Sequence, residues 1–276
     1  MLPKLKTVAL LATCALFLDS CAAQSSREST TEELTALLAG SQRAEENRVR
    51  DVYRHPKQTL LFFGVRPEMS VLEVWPTPGY YTEILAPLLR EKGKYYAAVM
   101  AADPSSKYVT RTLENYRAKL AASPQLYDKV IVVTMPTDGG NVVPPGSLDM
   151  ALTFRNLHNW MSKDDASQVI ATLYKALKPG GILGIVEHRG NPAVAQDPKA
   201  KSGYVNEDYA IKLIEAQGFR LVAKSEVNAN PKDTKDYPQG VWTLPPTYEL
   251  GDKDREKYAA IGESDRFTMR FQKPPL

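Results

Sequence analysis

From Ser70 onward, short apolar runs rich in valine, leucine and isoleucine alternate with longer segments whose apolar residues recur every three or four positions. The first pattern suits strands buried on both faces and the second suits helices with one apolar side, so their alternation predicts βαβ units around a parallel sheet. Strands are expected at Val71–Trp75, Lys94–Val99, Lys129–Thr134, Leu148–Phe154 and Ile182–Glu187, with a last pair at Phe219–Val227 and Phe267–Gln272. Helices are expected at Thr82–Leu89, Lys107–Ala121, Asp164–Leu177 and Asn206–Gln217, the last two stopped by Lys178-Pro179-Gly180-Gly181 and by Gly218. Ahead of the sheet, Glu32–Leu38 and Gln42–Tyr53 have helical composition, and Pro56 opens a further helix that runs to Phe63 and ends at Gly64. The stretch from Asn228 to Asp265 is too long for a hairpin loop. Its Tyr237, Trp242, Pro245, Pro246 and Tyr248 make it stiff and amphipathic, so it is read either as a lid over the strand ends or as a solvated decoration of the sheet edge.

The N-terminus follows a different pattern. Lys4 and Lys6 precede an apolar run, Val8–Leu18, that is too short to span a bilayer, so residues 1–20 read as an export signal. Leu18-Asp19-Ser20-Cys21 is similar to a bacterial lipobox, in which the cysteine is lipidated; ordinary cleavage after Ala23 is the competing reading. Residues 21–31 are then a polar tether and 32–276 a single domain carrying the 228–265 insertion. The expected location is the periplasm, or the outer membrane through a lipid anchor.

Composition narrows the function. The 276 residues are 43% hydrophobic and 24% charged, which suits a globular core, and a net charge of +3 argues against nucleic acid or a polybasic membrane surface as partner. The two cysteines, Cys14 and Cys21, leave the rest of the chain without a disulfide or a thiolate metal site.

Of the three histidines, His158 and His188 follow the fourth and fifth predicted strands, and ligands of such sheets sit at the carboxyl ends of the strands. Glu187 adjoins His188, and Arg155 and Asn156 share a loop with His158, so a general base and a hydrogen-bonding network are expected on one rim. The set lacks a compact metal-ligand motif, and no metal is predicted. His55 reads as a residue that leads into the Pro56 helix, and Trp160 as either core or pocket wall.

Val71-Leu72-Glu73-Val74 with Gly79-Tyr80-Tyr81-Thr82-Glu83, Phe154-Arg155-Asn156-Leu157-His158, and Leu177-Lys178-Pro179-Gly180-Gly181 together resemble motifs of the class I S-adenosylmethionine-dependent methyltransferases. The resemblance covers residues 55–273. Glu73-Val74-Trp75-Pro76, Gly93–Ala98 and Gly240–Pro246 are in addition similar to a family of exported, predicted methyltransferases. The resemblance implies an α/β, Rossmann-like class I methyltransferase sheet of seven strands with helices on both faces. It also implies S-adenosyl-L-methionine as cofactor and a small molecule as acceptor. The cofactor would lie over Glu73, Trp75, Thr77, Gly79, Phe154 and Asn156, with His158, Glu187 and His188 as the catalytic group. Trp75, Thr77 and Gly79 stand at the family's three glycine positions, so only the last glycine is kept. The family's ribose-binding acid falls near Val99, and the nearest carboxylate is Asp103, which is read either as a ribose contact or as the start of the next helix. The alternative function is a noncatalytic, envelope-associated binding protein that reuses this fold.

Overall fold

The computed structural model describes residues 27–275. The export signal, Cys21 and both cleavage readings lie outside the described residues.

Helix α1 runs over residues 27–39, so it already includes the end of the segment read as tether. Its inward face explains this, because Thr30 and Leu34 are both buried. Next come α2 (Glu45–Arg48), α3 (Asp51–Arg54) and α4 (Pro56–Phe63). The single helix expected at Gln42–Tyr53 is thus two one-turn pieces. Arg43 accounts for the break: its buried guanidinium forms two bonds to Asp51 and approaches Glu83, and that tertiary pull outweighs helix propensity. His55 adopts a left-handed conformation, φ 39°, just before Pro56, and α4 ends at Gly64, where two backbone N–H groups return to Leu60.

The sheet follows as β1 (Ser70–Val74), α5 (Thr82–Leu89), β2 (Lys94–Val99), α6 (Lys107–Ala122), α7 (Pro124–Tyr127), β3 (Ile131–Thr134) and β4 (Leu148–Phe154). It continues with α8 (Leu157–Ser162), α9 (Ala166–Ala176), β5 (Leu177–His188), α10 (Glu207–Glu215), β6 (Arg220–Ser225), α11 (Arg255–Ile261) and β7 (Arg266–Gln272). Strand order is β3-β2-β1-β4-β5-β7-β6; β7 runs antiparallel to both neighbours, and β3, β2, β1, β4 and β5 are mutually parallel. This is the expected seven-stranded architecture. β5 starts five residues before Ile182, because Leu177 pairs with Leu148 and Gly180 and Gly181 bond to Lys273.

Alternation along the strands divides the core. Leu72, Val74, Ala151, Leu183 and Ile185 face α8, α9 and α10, where Trp160, Ile170, Leu173 and Ile214 meet them. Val71, Tyr95, Ala97, Leu152 and Val186 face α4, α5 and α6, against Phe63, Ile84, Leu85 and Tyr116. Each face therefore removes a continuous apolar layer from water, which is the main force holding the sheet. The order reverses between β1 and β4, so the carboxyl ends of β1, β4 and β5 open a crevice at the switch point.

Candidate functional site

A cleft of about 340 Å³ lies at that crevice. Its floor comes from β1 and β4, one wall from α2 and α3, and the other from the long insertion. A larger hollow, about 720 Å³, lies at the opposite edge of the sheet, beside Met69, Asp149 and Lys178, away from the switch point.

His158 sits in the first turn of α8 rather than in a loop, with Asn156 at the helix N-terminus. The Asn156 amide donates to the Val74 carbonyl at 2.9 Å and so ties the ends of β1 and β4 together. His158 Nδ1 lies 3.0 Å from Glu187 Oε1, and Glu187 also accepts from the backbone N–H groups of His158 and His188. The ring contact with this fully buried carboxylate makes Nδ1 the donor in the neutral tautomer, which leaves Nε2 as the acceptor. The rings of His158 and His188 are 5.3 Å apart, so both belong to one rim, as expected. Burial holds His188 well below the usual imidazole range, and His158, Arg266, Arg155 and Arg54 reinforce this. Its Nδ1 meets Ser264 Oγ at 2.5 Å.

Glu73 alternates with Val71 onto the α5 side and lines the cleft while almost fully buried. Tyr95 Oη donates to it at 2.6 Å; burial nevertheless pushes its carboxyl up to about 7, against that bond and the charge of Arg155. Trp75 replaces the first glycine of the turn yet keeps its left-handed backbone, φ 49°; Gly79 has φ 107°. The indole packs edge-on to Trp160, 6.1 Å between centroids, so Trp160 is core and Trp75 lies between core and cleft. Phe154 stacks on Tyr81 at 3.7 Å. The insertion supplies the outer wall: Trp242 stands edge-on to His158 at 5.9 Å, and Pro245 and Pro246 continue it.

Of the residues singled out, the cleft is lined by Glu73, Trp75, Thr77, Phe154, Asn156, His158 and His188, with Glu187 directly beneath. Gly79 and Asp103 do not line it. A Cβ on Gly79 would fall 2.8 Å from Lys119 Cε, so that side of the turn is filled by Lys119. Asp103 is exposed, and its carboxylate accepts from Ser105 N and Ser105 Oγ, which turns the chain ahead of α6. Both bonds end on Oδ1, so Asp103 takes part in a local turn ahead of α6 and does not line the cleft. The arginines of the site, Arg50, Arg54 and Arg266, were not anticipated. They converge from α3, the residue just before it, and β7, far apart in the chain, and no local pattern marks them.

For S-adenosylmethionine the fit is therefore divided. Residues 75–78 of the turn, Glu73 and Asn156 line the cleft, whereas among the described residues no carboxylate between β2 and α6 does so.

Residues 72–185 match a family described as a methyltransferase domain. No curated protein matches the chain. Among solved structures it is similar to an S-adenosylmethionine-dependent methyltransferase from Aquifex aeolicus, at 17% identity and TM-score 0.55, covering 81% of this chain and 92% of that one. It is equally similar to the [4+2]-cyclase SpnF, at 16% identity and TM-score 0.55, over 92% and 96% of the two chains. An arsenic(III) S-adenosylmethionine methyltransferase from Chlamydomonas reinhardtii matches at 14% identity and TM-score 0.50, over 88% and 74%. The fold is that of the class I methyltransferases, and at these identities the likeness concerns the fold alone.

Proposed function

We propose that the chain is an exported S-adenosylmethionine-dependent methyltransferase that acts on a small acceptor, with His158 taking the acceptor's proton. The observation that carries this reading is the 3.0 Å contact of His158 Nδ1 with buried Glu187, on the rim beside the 75–79 turn. S-adenosylmethionine, when bound, supplies a methyl group as electrophile. Glu73, Asn156 and the turn would hold its methionine end. His158 Nε2 would accept the proton that the acceptor sheds, and Glu187 would stabilise the imidazolium that results. His188, kept neutral, orients the rim through Ser264. Trp242 and the proline pair exclude water from this edge.

Calorimetry with S-adenosylmethionine and S-adenosylhomocysteine is the test. Both should bind the wild type, and His158→Ala should leave that binding within a factor of about three, because the histidine serves the acceptor. If neither binds, the second reading stands: a noncatalytic binding protein. Trp75 at a glycine position and Asp103 bonded locally to Ser105 outside the cleft favour it. Export rests on Lys4, Lys6 and the Val8–Leu18 run.

A further inference from the structure

Four guanidinium groups, those of Arg50, Arg54, Arg155 and Arg266, line the cleft. Three of them share one carboxylate. Arg50 Nε reaches Glu263 Oε1 at 2.6 Å, Arg54 Nε reaches Oε2 at 3.3 Å, and Arg266 Nη2 bonds to the same oxygen. Arg155 has neither a side-chain hydrogen bond nor an ion pair among the described residues, although Arg54 and Arg266 are close enough to repel its charge. Other carboxylates offer little compensation. Glu73 feels the charge of Arg155 but makes no ion pair with it, and burial pushes its carboxyl up to about 7; Glu187 spends its oxygens on His158 and His188. The cleft thus holds a surplus of positive charge in a poorly hydrated place, an arrangement that costs the fold stability unless a ligand answers it.

The backbone makes the same point. Arg155 has φ +60°, a left-handed conformation uncommon for a branched or long side chain, and is held there by its N–H bond of 2.7 Å to Val186. A side chain carried at that cost, lining the cleft and bonded to no other side chain among the described residues, is free to bond a ligand there. A cation is the wrong candidate. His158, Glu187 and His188 place ligand-type atoms within 4.8 Å of one another, but the arginines oppose a metal ion there.

We propose that the arginine cluster is an oxyanion site, and that the small ligand of this cleft carries a carboxylate or phosphate gripped by the fork of the Arg155 guanidinium. Planar guanidinium groups match both oxyanions with two parallel bonds. The stacked Tyr81 and Phe154 rings and the edge of Trp242 suit a flat apolar body attached to that charge. The inference deepens the proposed function by naming the acceptor's class, while its test needs no methyl donor.

Thermal shift and calorimetry on the purified protein would use benzoate and phenyl phosphate as the two oxyanion probes, with benzamide and benzamidine as neutral and cationic counterparts of the same shape. One or both anions should raise the melting temperature, and the stronger of the two identifies the oxyanion; benzamide and benzamidine should not. Arg155→Met should weaken the preferred anion at least tenfold while leaving the melting temperature of the ligand-free protein unchanged or higher, because it removes a repelled charge. Arg155→Lys, which keeps the charge and loses the fork, should fall between. Anions that bind no better than benzamide would overturn the proposal, as would an Arg155→Met protein that is less stable yet binds anions as the wild type does. Loss of the anion effect with S-adenosylhomocysteine binding intact would sink this inference alone; the converse would sink methyl transfer and leave the oxyanion site standing.

Discussion

At the scale of single residues, Glu73 carries a pH signature. Its carboxyl ionises near 7 in the folded protein, against 4.5 ordinarily, because burial outweighs the Tyr95 bond. The folded state therefore holds this proton more tightly than the unfolded chain does. The resulting stability is complete below about pH 4.5 and is lost as pH rises through 7. Glu73→Gln should flatten that decline and be more stable than wild type at pH 8 by on the order of 2 kcal/mol. Urea unfolding of both proteins from pH 5 to pH 8.5 would measure it; parallel curves would contradict it. His158 gives a second case. It is 6% exposed and anchors a fully buried carboxylate, so His158→Ala should cost about 1–3 kcal/mol in addition to any effect on ligand. The pairing of His158 with His188 was legible because His158 follows β4 and His188 ends the adjacent β5. The arginine cluster was not: Arg50 and Glu263 lie 213 positions apart, and only the closed fold brings them together.

At the scale of elements, the strands were legible from alternation and apolar runs, while the short helices were not. Leu157–Ser162 is six residues long, too short to display a period, and its start is set by Asn156, whose amide reaches across to β1. The α2–α3 break is likewise invisible locally, since Arg43 makes it from outside both helices. The turn at Gly240–Thr243 illustrates how an element is seated. Gly240 has φ 54°, and a Cβ there would fall 2.0 Å from the Ser202 carbonyl oxygen. Gly240→Ala must then push the turn off the neighbouring chain, with a loss of about 1–3 kcal/mol and displacement of Trp242 from His158. Denaturation together with probe binding by the variant would check this: normal stability with an unaltered cleft would refute the account.

For the molecule as a whole, the proposed export predicts recovery in the cell envelope on fractionation. Cys21→Ala should release the protein from membranes if the cysteine is lipidated, and change nothing if cleavage follows Ala23. The sheet adds a constraint on how such a chain reaches its folded form. β7 is the last strand in sequence, yet it lies between β5 and β6 and pairs with both. Until residues 266–272 are available, β5 has one bare edge along most of its twelve residues, and β6 has no neighbour at all. Such an edge invites pairing with other chains. A chain ending at residue 265 should accordingly sediment with aggregates, whereas the full chain stays soluble; centrifugation of the two would decide. β7 also follows in sequence both strands that it joins, so this half of the sheet closes only after residues 266–272 have been made. If the chain is exported as proposed, that order leaves the sheet open until its last strand is made, and a chain with an open sheet threads a narrow translocation channel more readily than a closed one.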